Sequence, residues 1–204
     1  MIQNIIFDLG NVLLRFRPDQ LIMDKFGDEI TKEALMKAIF KAPEWLLMDR
    51  GTLSEAQATS AFIQHAPDYE EEIQAIMKIW PQAITPIEEH IEILKDMKNR
   101  GFRCYILSNF PKDAFEGQEK MHSFFQCFDG GVVSAYVHQV KPEKEIYESL
   151  LDRYELEPSK CLFLDDVSQN IEAAKALGIH GIQVTKELDL KSAVNTYLEA
   201  NTCL

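Results

Sequence analysis

The sequence predicts an α/β protein built on a doubly wound, Rossmann-like parallel sheet that carries a small helical insert. Short apolar runs rich in β-branched or aromatic residues are typical of buried parallel strands. Amphipathic helical patterns at 143–154 and 168–177 lie between the later runs, and Gly178 after the second is a typical helix stop. This alternation of strand and helix predicts a doubly wound sheet. The predicted strands are residues 2–7, 104–107, 131–133, 161–164 and 181–184.

The interval from residue 16 to residue 85 breaks this alternation. It contains several helical patterns and no convincing strand. The clearest of these patterns are residues 31–41, 53–65 and 69–78. Prolines mark both of its junctions, at Pro18 and at Pro86, where continued helix is disfavoured. We therefore predict a core made of residues 1–15 and 86–204, interrupted by an α-helical insert at residues 16–85.

Composition excludes several classes of function. A chain of 204 residues with a formal charge of −12 lacks the basic surface that binds nucleic acid or anionic membranes. No apolar run approaches the length of about 20 residues that crosses a bilayer, and the first residues lack the features of a signal peptide. We expect a cytoplasmic protein, a monomer or homodimer, with reduced thiols. The scattered cysteines are Cys104, Cys127, Cys161 and Cys203.

Polar side chains follow four of the predicted strands. Ligands of open parallel sheets bind outside the carboxyl ends of the strands, so these side chains are expected to meet at one edge. The set consists of Asp8 after the first strand, Ser108 and Asn109 after the second, Lys141 shortly after the third, and Asp165 and Asp166 after the fourth. Each residue alone is typical of a cap, turn or loop. Their joint placement indicates a functional site.

This set of groups fits phosphoryl transfer through a covalent intermediate. Asp8 and Asp166 repel each other unless a hard cation lies between them, and Mg²⁺ favours such oxygen ligands. One oxygen of Asp8 can then bind the metal ion while the other attacks phosphorus. Lys141 is expected to neutralise charge in the transition state. The groups predicted to bind substrate oxygens are Ser108, Lys141 and the backbone amides of Leu9, Gly10 and Asn109.

Four segments of the sequence resemble the ordered motifs of the haloacid dehalogenase superfamily. They are FDLGNVLL at 7–14, ILSN at 106–109, VKPEKEIY at 140–147 and FLDDVSQNIEAAKALG at 163–178. The resemblance implies that Asp8 is the nucleophile and a Mg²⁺ ligand. It further implies that the Gly10 carbonyl and Asp166 are ligands, and that Asp165 is a water-mediated or supporting one. The helical insert resembles the small α-helical cap that closes over the active site in this superfamily.

One position departs from the pattern of the superfamily's phosphatases. They carry a second Asp two residues after the nucleophile as the general acid and base, and this chain has Gly10 there. A first interpretation is a phosphatase of a small phosphorylated metabolite, with protons relayed by water or by a cap residue. The cap sequence WLLMDRGTLSEAQ at 45–57 looks like the branch of sugar-1-phosphate phosphatases, such as the α-glucose-1-phosphatase type, whose leaving group needs little protonation.

Two other interpretations stay open at this point. A metal-independent 2-haloacid dehalogenase needs no acid because halide leaves without a proton, although a carboxylate pair at Asp165 and Asp166 would repel a haloacid. Alternatively, the chain is a binding or regulatory protein with weak or no turnover, which the absence of Asp at position 10 favours and the retained Asp8, Ser108 and Lys141 oppose.

Two residues of the predicted insert are candidates for substrate contact. Trp45 can stack on a sugar, and Arg50 can bind hydroxyls or phosphate. The alternative is that Trp45 packs within the insert and Arg50 is solvated. Trp80, next to a proline, is expected to anchor the insert to the core, and His138, three residues before Lys141, is interpreted as a loop histidine.

Overall fold

The computed structural model describes residues 1–201. Within this range the strands are β1 (Asn4–Phe7), β2 (Leu14–Arg15), β3 (Thr85–Pro86), β4 (Arg103–Ser108), β5 (Gly130–Val133), β6 (Cys161–Asp165) and β7 (His180–Gln183). Five of them form a parallel sheet in the order β5-β4-β1-β6-β7, and β2 pairs antiparallel with β3. The predicted doubly wound α/β fold is confirmed, and each predicted strand is present with ends shifted by one or two residues.

The central strands are buried on both faces of the sheet. All four residues of β1 and all five of β6 are buried. Successive side chains of a strand point to opposite faces, and so Ile5 and Phe7 pack in one apolar cluster while Ile6 packs in the other. Helices therefore cover both faces, as continuous apolar strands require.

The described residues contain α-helices on both sides of this sheet and in the segment between β2 and β3. They are α1 (Pro18–Phe26), α2 (Glu29–Leu35), α3 (Pro43–Asp49), α4 (Glu55–His65), α5 (Glu70–Ile79), α6 (Glu88–Asn99), α7 (Lys112–Met121), α8 (Ser134–Val137), α9 (Lys144–Arg153), α10 (Ser168–Ala176) and α11 (Leu190–Ala200). A π-helical stretch, Met36–Phe40, continues α2, and short 3₁₀ turns occupy Pro67–Tyr69, Trp80–Ala83, Ser123–Cys127 and Pro158–Lys160.

The segment that holds α1–α5 is organised around aromatic side chains. Trp45 lies with its ring centroid 4.7 Å from that of Phe40 and 5.0 Å from that of Trp80, and Phe16 and Phe62 pack around it. Because β2 and β3 lie side by side, the chain enters and leaves this segment at one place. The helix predicted at 53–65 begins later, after Ser54, whose side chain and that of Gln57 form a capping box.

Two further features concern membranes and thiols. No helix within residues 1–201 has the length and apolar character needed to span a bilayer. In the same range Cys104, Cys127 and Cys161 are free thiols, and Cys203 lies outside the described residues.

Candidate active site

Residues at the carboxyl ends of the three central strands lie next to one another at one edge of the sheet. Asp8 follows β1, and Ser108 and Asp165 are the last residues of the neighbouring strands β4 and β6. The Ser108 hydroxyl donates a hydrogen bond of 2.6 Å to Oδ1 of Asp8. The other carboxylate oxygen of Asp8 accepts no hydrogen bond from residues 1–201. Asp8 therefore has one anchored oxygen and one free oxygen.

Lys141 joins the ends of β1 and β6. Its Nζ lies 2.8 Å from Oδ1 of Asp8 and 2.6 Å from Oδ2 of Asp165, and its side chain is 1% exposed. The side-chain amide of Asn109 donates to the Lys141 carbonyl at 3.0 Å and accepts from the Lys141 backbone N–H at 2.8 Å. The Asn109 side chain thus fixes the backbone of Lys141, a contact that sequence reasoning missed.

The charges of this cluster are strongly coupled. Burial raises the pKa of Asp8 to about 7, against the attraction of Lys141. Burial also opposes the charge of Lys141, but Asp8 and Asp165 outweigh it, and the pKa of Lys141 is raised. Ligand oxygens of Asp8, Asp165 and Asp166 all lie within 4.8 Å of one another. A cation at this point would relieve the excess negative charge.

The two adjacent aspartates have different surroundings. Both oxygens of Asp165 are occupied, because they accept hydrogen bonds from the Val167 amide, from the Asn170 side chain and from Lys141. Asp166 is partly exposed and accepts one long hydrogen bond of 3.3 Å from Asn11. This arrangement favours a supporting position for Asp165, whereas Asp166 has oxygens available for a ligand.

The turn after Asp8 presents backbone to the site. The Leu9 side chain is fully buried in the core, and its carbonyl accepts hydrogen bonds from the amides of residues 12, 13 and 14. A Cβ added at Gly10 would meet no atom within 4 Å. The turn therefore leaves open space at the position where Asp is missing.

Asp49 lies in the sequence between the candidate contacts Trp45 and Arg50, but it is the residue of this site to which the sequence assigned no role. It ends α3, is 9% exposed and lines a cavity of about 90 Å³ together with Gly10, Trp45 and Asn109. Its carboxylate accepts no hydrogen bond and forms no ion pair with residues 1–201. Burial, reinforced by the charge of Asp8, raises the pKa of Asp49 to about 8. The sequence signal that could have indicated Asp49 is its position as an acidic residue at the end of a largely apolar helical segment.

The two predicted cap contacts lie in different places. Trp45 packs in the aromatic cluster and also borders the cavity. Arg50 does not line this cavity; its guanidinium forms an ion pair with Glu143 at 2.5 Å and donates to the His138 carbonyl at 3.2 Å. The expectation of a solvated Arg50 is therefore wrong, since the core holds its charge. A substrate contact for Arg50 or Trp45 stays a prediction.

The fold is Rossmann-like, and it gathers a buried carboxylate–lysine cluster at the carboxyl ends of parallel strands, the edge where ligands of such sheets bind. Residues 5–184 match the family described as haloacid dehalogenase-like hydrolase. The chain belongs to this family. The resemblance seen in the sequence motifs, and the hydrolase class that it implied, are confirmed.

Individual relatives support the same assignment. The sesquiterpene phosphatase astK of Aspergillus oryzae is 26% identical over 186 residues, which cover 90% of both chains. The bifunctional epoxide hydrolase 2 of Rattus norvegicus is 28% identical over 160 residues, 74% of this chain and 28% of its own length. A solved HAD family enzyme from Bacteroides thetaiotaomicron, in complex with magnesium and inorganic phosphate, has a TM-score of 0.72 at 20% identity. That comparison covers 95% of this chain and 99% of the other, and it shows the fold alone.

Proposed function

We propose that this hydrolase is a cytoplasmic, Mg²⁺-dependent phosphatase that removes the phosphoryl group of a small phosphorylated metabolite, with Asp8 as nucleophile. The observation that carries the proposal is the geometry of Asp8. Ser108 and Lys141 hold one oxygen of its carboxylate at 2.6 and 2.8 Å, which leaves the second oxygen free. A nucleophile of this kind is preoriented for attack on phosphorus.

Each residue of the cluster has a distinct part in the proposed reaction. The free oxygen of Asp8 bonds to phosphorus, and the bond from phosphorus to the leaving oxygen breaks. Lys141 and the Ser108 hydroxyl stabilise the oxygens of the phosphoryl group as negative charge gathers on them. Asp165 keeps Lys141 in place, since Nζ lies 2.6 Å from its carboxylate.

The donor set fits a magnesium ion. Its groups are carboxylate oxygens, and three acidic side chains converge while Lys141 is the one cation buried among them in residues 1–201. We propose that Asp8, Asp166 and the Gly10 carbonyl hold the ion, with Asp165 in support. When bound, Mg²⁺ screens the repulsion between the phosphoryl group and the carboxylates.

The same charges weigh against the other two interpretations. A haloacid would bring its own carboxylate beside Asp165 and Asp166 without the ion that screens a phosphoryl group. Burial of Lys141 between Asp8 and Asp165 carries a desolvation penalty, and a regulatory role without turnover does not explain why this penalty is retained. The relative named as a sesquiterpene phosphatase adds support for phosphoryl chemistry.

We further propose that residues 16–85 act as a cap and that the cap selects the substrate. Trp45 and Asp49 of this segment line a cavity of about 90 Å³ together with Gly10 and Asn109 of the core, so the segment borders the site. Sugar phosphates are the first substrate class to test, with Trp45 and Arg50 as candidate contacts, and the protein is taken to act as a monomer or homodimer.

A phosphate-release screen tests the proposal. The substrates are hexose 1-phosphates and 6-phosphates, nucleotides, flavin mononucleotide, prenyl phosphates and acetyl phosphate, each with Mg²⁺ and with EDTA. We expect release that EDTA abolishes and that Asp8→Asn abolishes. The matched control is Asp152→Asn, an exposed aspartate on α9, which keeps the wild-type rate.

Two outcomes would contradict the proposal. Metal-independent chloride release from 2-chloropropionate, measured in parallel, would identify a dehalogenase. No release of phosphate or chloride, together with a melting temperature that Mg²⁺ still raises, would identify a binding protein.

A further inference from the structure

Asp49 is a buried carboxyl group that no stabilising contact explains. It is nine-tenths buried, and its carboxylate has no hydrogen-bond or ion-pair partner within residues 1–201. It also ends α3, where the negative end of the helix dipole disfavours an acidic side chain. Burial of a polar group without a hydrogen bond is unfavourable, and burial of an unpaired carboxylate is more so. Violations of local rules such as these are expected at functional or strained sites.

The core holds Asp49 firmly in this unfavourable position. The Ser134 hydroxyl donates a hydrogen bond to the Asp49 backbone carbonyl, and it also accepts one from the Phe110 amide at 2.9 Å. The next residue, Arg50, is bound through its carbonyl to the His138 ring at 3.0 Å and through its guanidinium to Glu143. The end of α3 is thus docked on the core, and Asp49 is fixed by contacts that do not involve its carboxylate.

This docking places Asp49 in the lining of the same cavity as Gly10, the position where the acid is missing. Asp49 and Gly10 line the same small cavity, together with Asn109 beside the Lys141 cluster. No atom lies within 4 Å of a Cβ added at Gly10, so the turn after Asp8 leaves open space at position 10. A carboxyl group therefore enters the cavity from the helical segment where related phosphatases place one on the core.

We propose that Asp49 is the general acid and base of this enzyme, supplied by the helical cap in place of a residue at position 10. The inference rests on the proposed function. In the first step the Asp8 oxygen bonds to phosphorus, the bond to the leaving oxygen breaks, and Asp49 gives its proton to that oxygen. In the second step a water oxygen bonds to phosphorus, the Asp8–phosphorus bond breaks, and the water proton passes to Asp49.

The test compares two esters that differ in their need for a proton. p-Nitrophenyl phosphate has a good leaving group, and phenyl phosphate has a poor one. With Asp49→Asn we expect kcat/KM for phenyl phosphate to fall by about 10²–10⁴-fold, the usual worth of general acid catalysis, while kcat/KM for p-nitrophenyl phosphate changes by less than about threefold. Steady-state kcat falls for both esters because the second step loses its base. A burst of nitrophenol stoichiometric with enzyme therefore precedes the slow phase.

Two further variants and a stability measurement separate this role from a structural one. The matched control is Glu44→Gln, because Glu44 is an acidic residue on the same helix and is paired with His65. This variant is expected to leave kcat/KM unchanged for both esters. Asp49→Asn is expected to raise the melting temperature in EDTA by about 2–4 °C, because it removes an unpaired buried charge. A residue kept for structure would lower the melting temperature instead.

The outcomes distinguish the two proposals. Equal losses of kcat/KM for both esters, or no loss of kcat/KM for phenyl phosphate, overturn the role of Asp49. The phosphatase proposal still stands in that case if Asp8→Asn is inactive on both esters. No phosphate release by the wild-type enzyme from either ester overturns the proposed function, and the role of Asp49 with it.

Discussion

Replacement of Lys141 by Met removes the cation that joins two buried carboxylates. The side chains of Asp8 and Asp165 are 9% and 0% exposed, and Lys141 Nζ contacts both within 2.8 Å. Removal of one partner from a buried ion pair costs about 3–5 kcal/mol, because the remaining charges lose their compensation. Since a domain of this size has a free energy of unfolding of about 5–15 kcal/mol, the variant loses a large part of its stability.

The loss depends on pH in a defined direction. Burial already raises the pKa of Asp8 to about 7, and without Lys141 the folded-state pKa rises further above the unfolded value of about 3.9. A carboxyl group with a raised folded-state pKa binds a proton that the unfolded chain releases, so stability is lost as pH rises above the unfolded pKa. The deficit of Lys141→Met is therefore larger at pH 8 than at pH 5.5. It grows by about 1.4 kcal/mol per pH unit for each extra proton retained.

Urea denaturation in EDTA at the two pH values measures this deficit. The matched control is Lys144→Met, an exposed lysine paired with Glu148 at 3.4 Å, which we expect to change stability by less than about 0.5 kcal/mol. Addition of Asp8→Asn to Lys141→Met should recover at least about 1 kcal/mol of the loss as coupling energy. A loss below about 1 kcal/mol at both pH values, or a deficit that shrinks as pH rises, would refute the electrostatic reasoning.

Two further predictions concern packing. Gly51→Ala places a Cβ 2.5 Å from the Ala135 carbonyl oxygen, whereas Gly27→Ala meets open space at a similar φ, +74° against +73°. In urea denaturation Gly51→Ala should therefore cost at least about 1 kcal/mol more than Gly27→Ala. Equal costs would argue against tight packing of Gly51 on Ala135. Burial raises the pKa of Cys104 to about 12 and of Cys161 to about 11, so iodoacetamide at pH 8 should alkylate both only in urea, and modification of the native protein at equal rates would contradict the packing.

The core of the fold was predictable because its signals are local. The apolar runs around Ile5, Ile106 and Leu164 are buried on both faces, and continuous apolar character is the signal of such strands. The ends of the predicted strands shifted because backbone hydrogen bonds determine the last paired residue of a strand. These hydrogen bonds cannot be read from the sequence. The helix expected at 31–41 divides into α2 and a π-helical stretch, a change that no residue pattern announces.

Some residues of the candidate site could likewise be predicted from the sequence, and others could not. Asp8, Ser108 and Asp165 follow or end adjacent strands, and so their convergence could be inferred from the strand pattern alone. Asp49 could not, because its approach depends on how α3 docks on the core. The partner of Arg50 was missed for the same reason, since Glu143 lies 93 residues away in the chain.

Detection of a phosphoryl group on Asp8 during turnover tests the account most directly. The enzyme is mixed with Mg²⁺ and p-nitrophenyl phosphate, quenched in acid at millisecond intervals, digested and mapped by mass spectrometry. We predict a phosphorylated peptide that contains Asp8, in larger amount in Asp49→Asn and absent in Asp8→Asn. Phosphate release without any phosphorylated Asp8 peptide, or with the phosphoryl group on another side chain, would contradict the central claim.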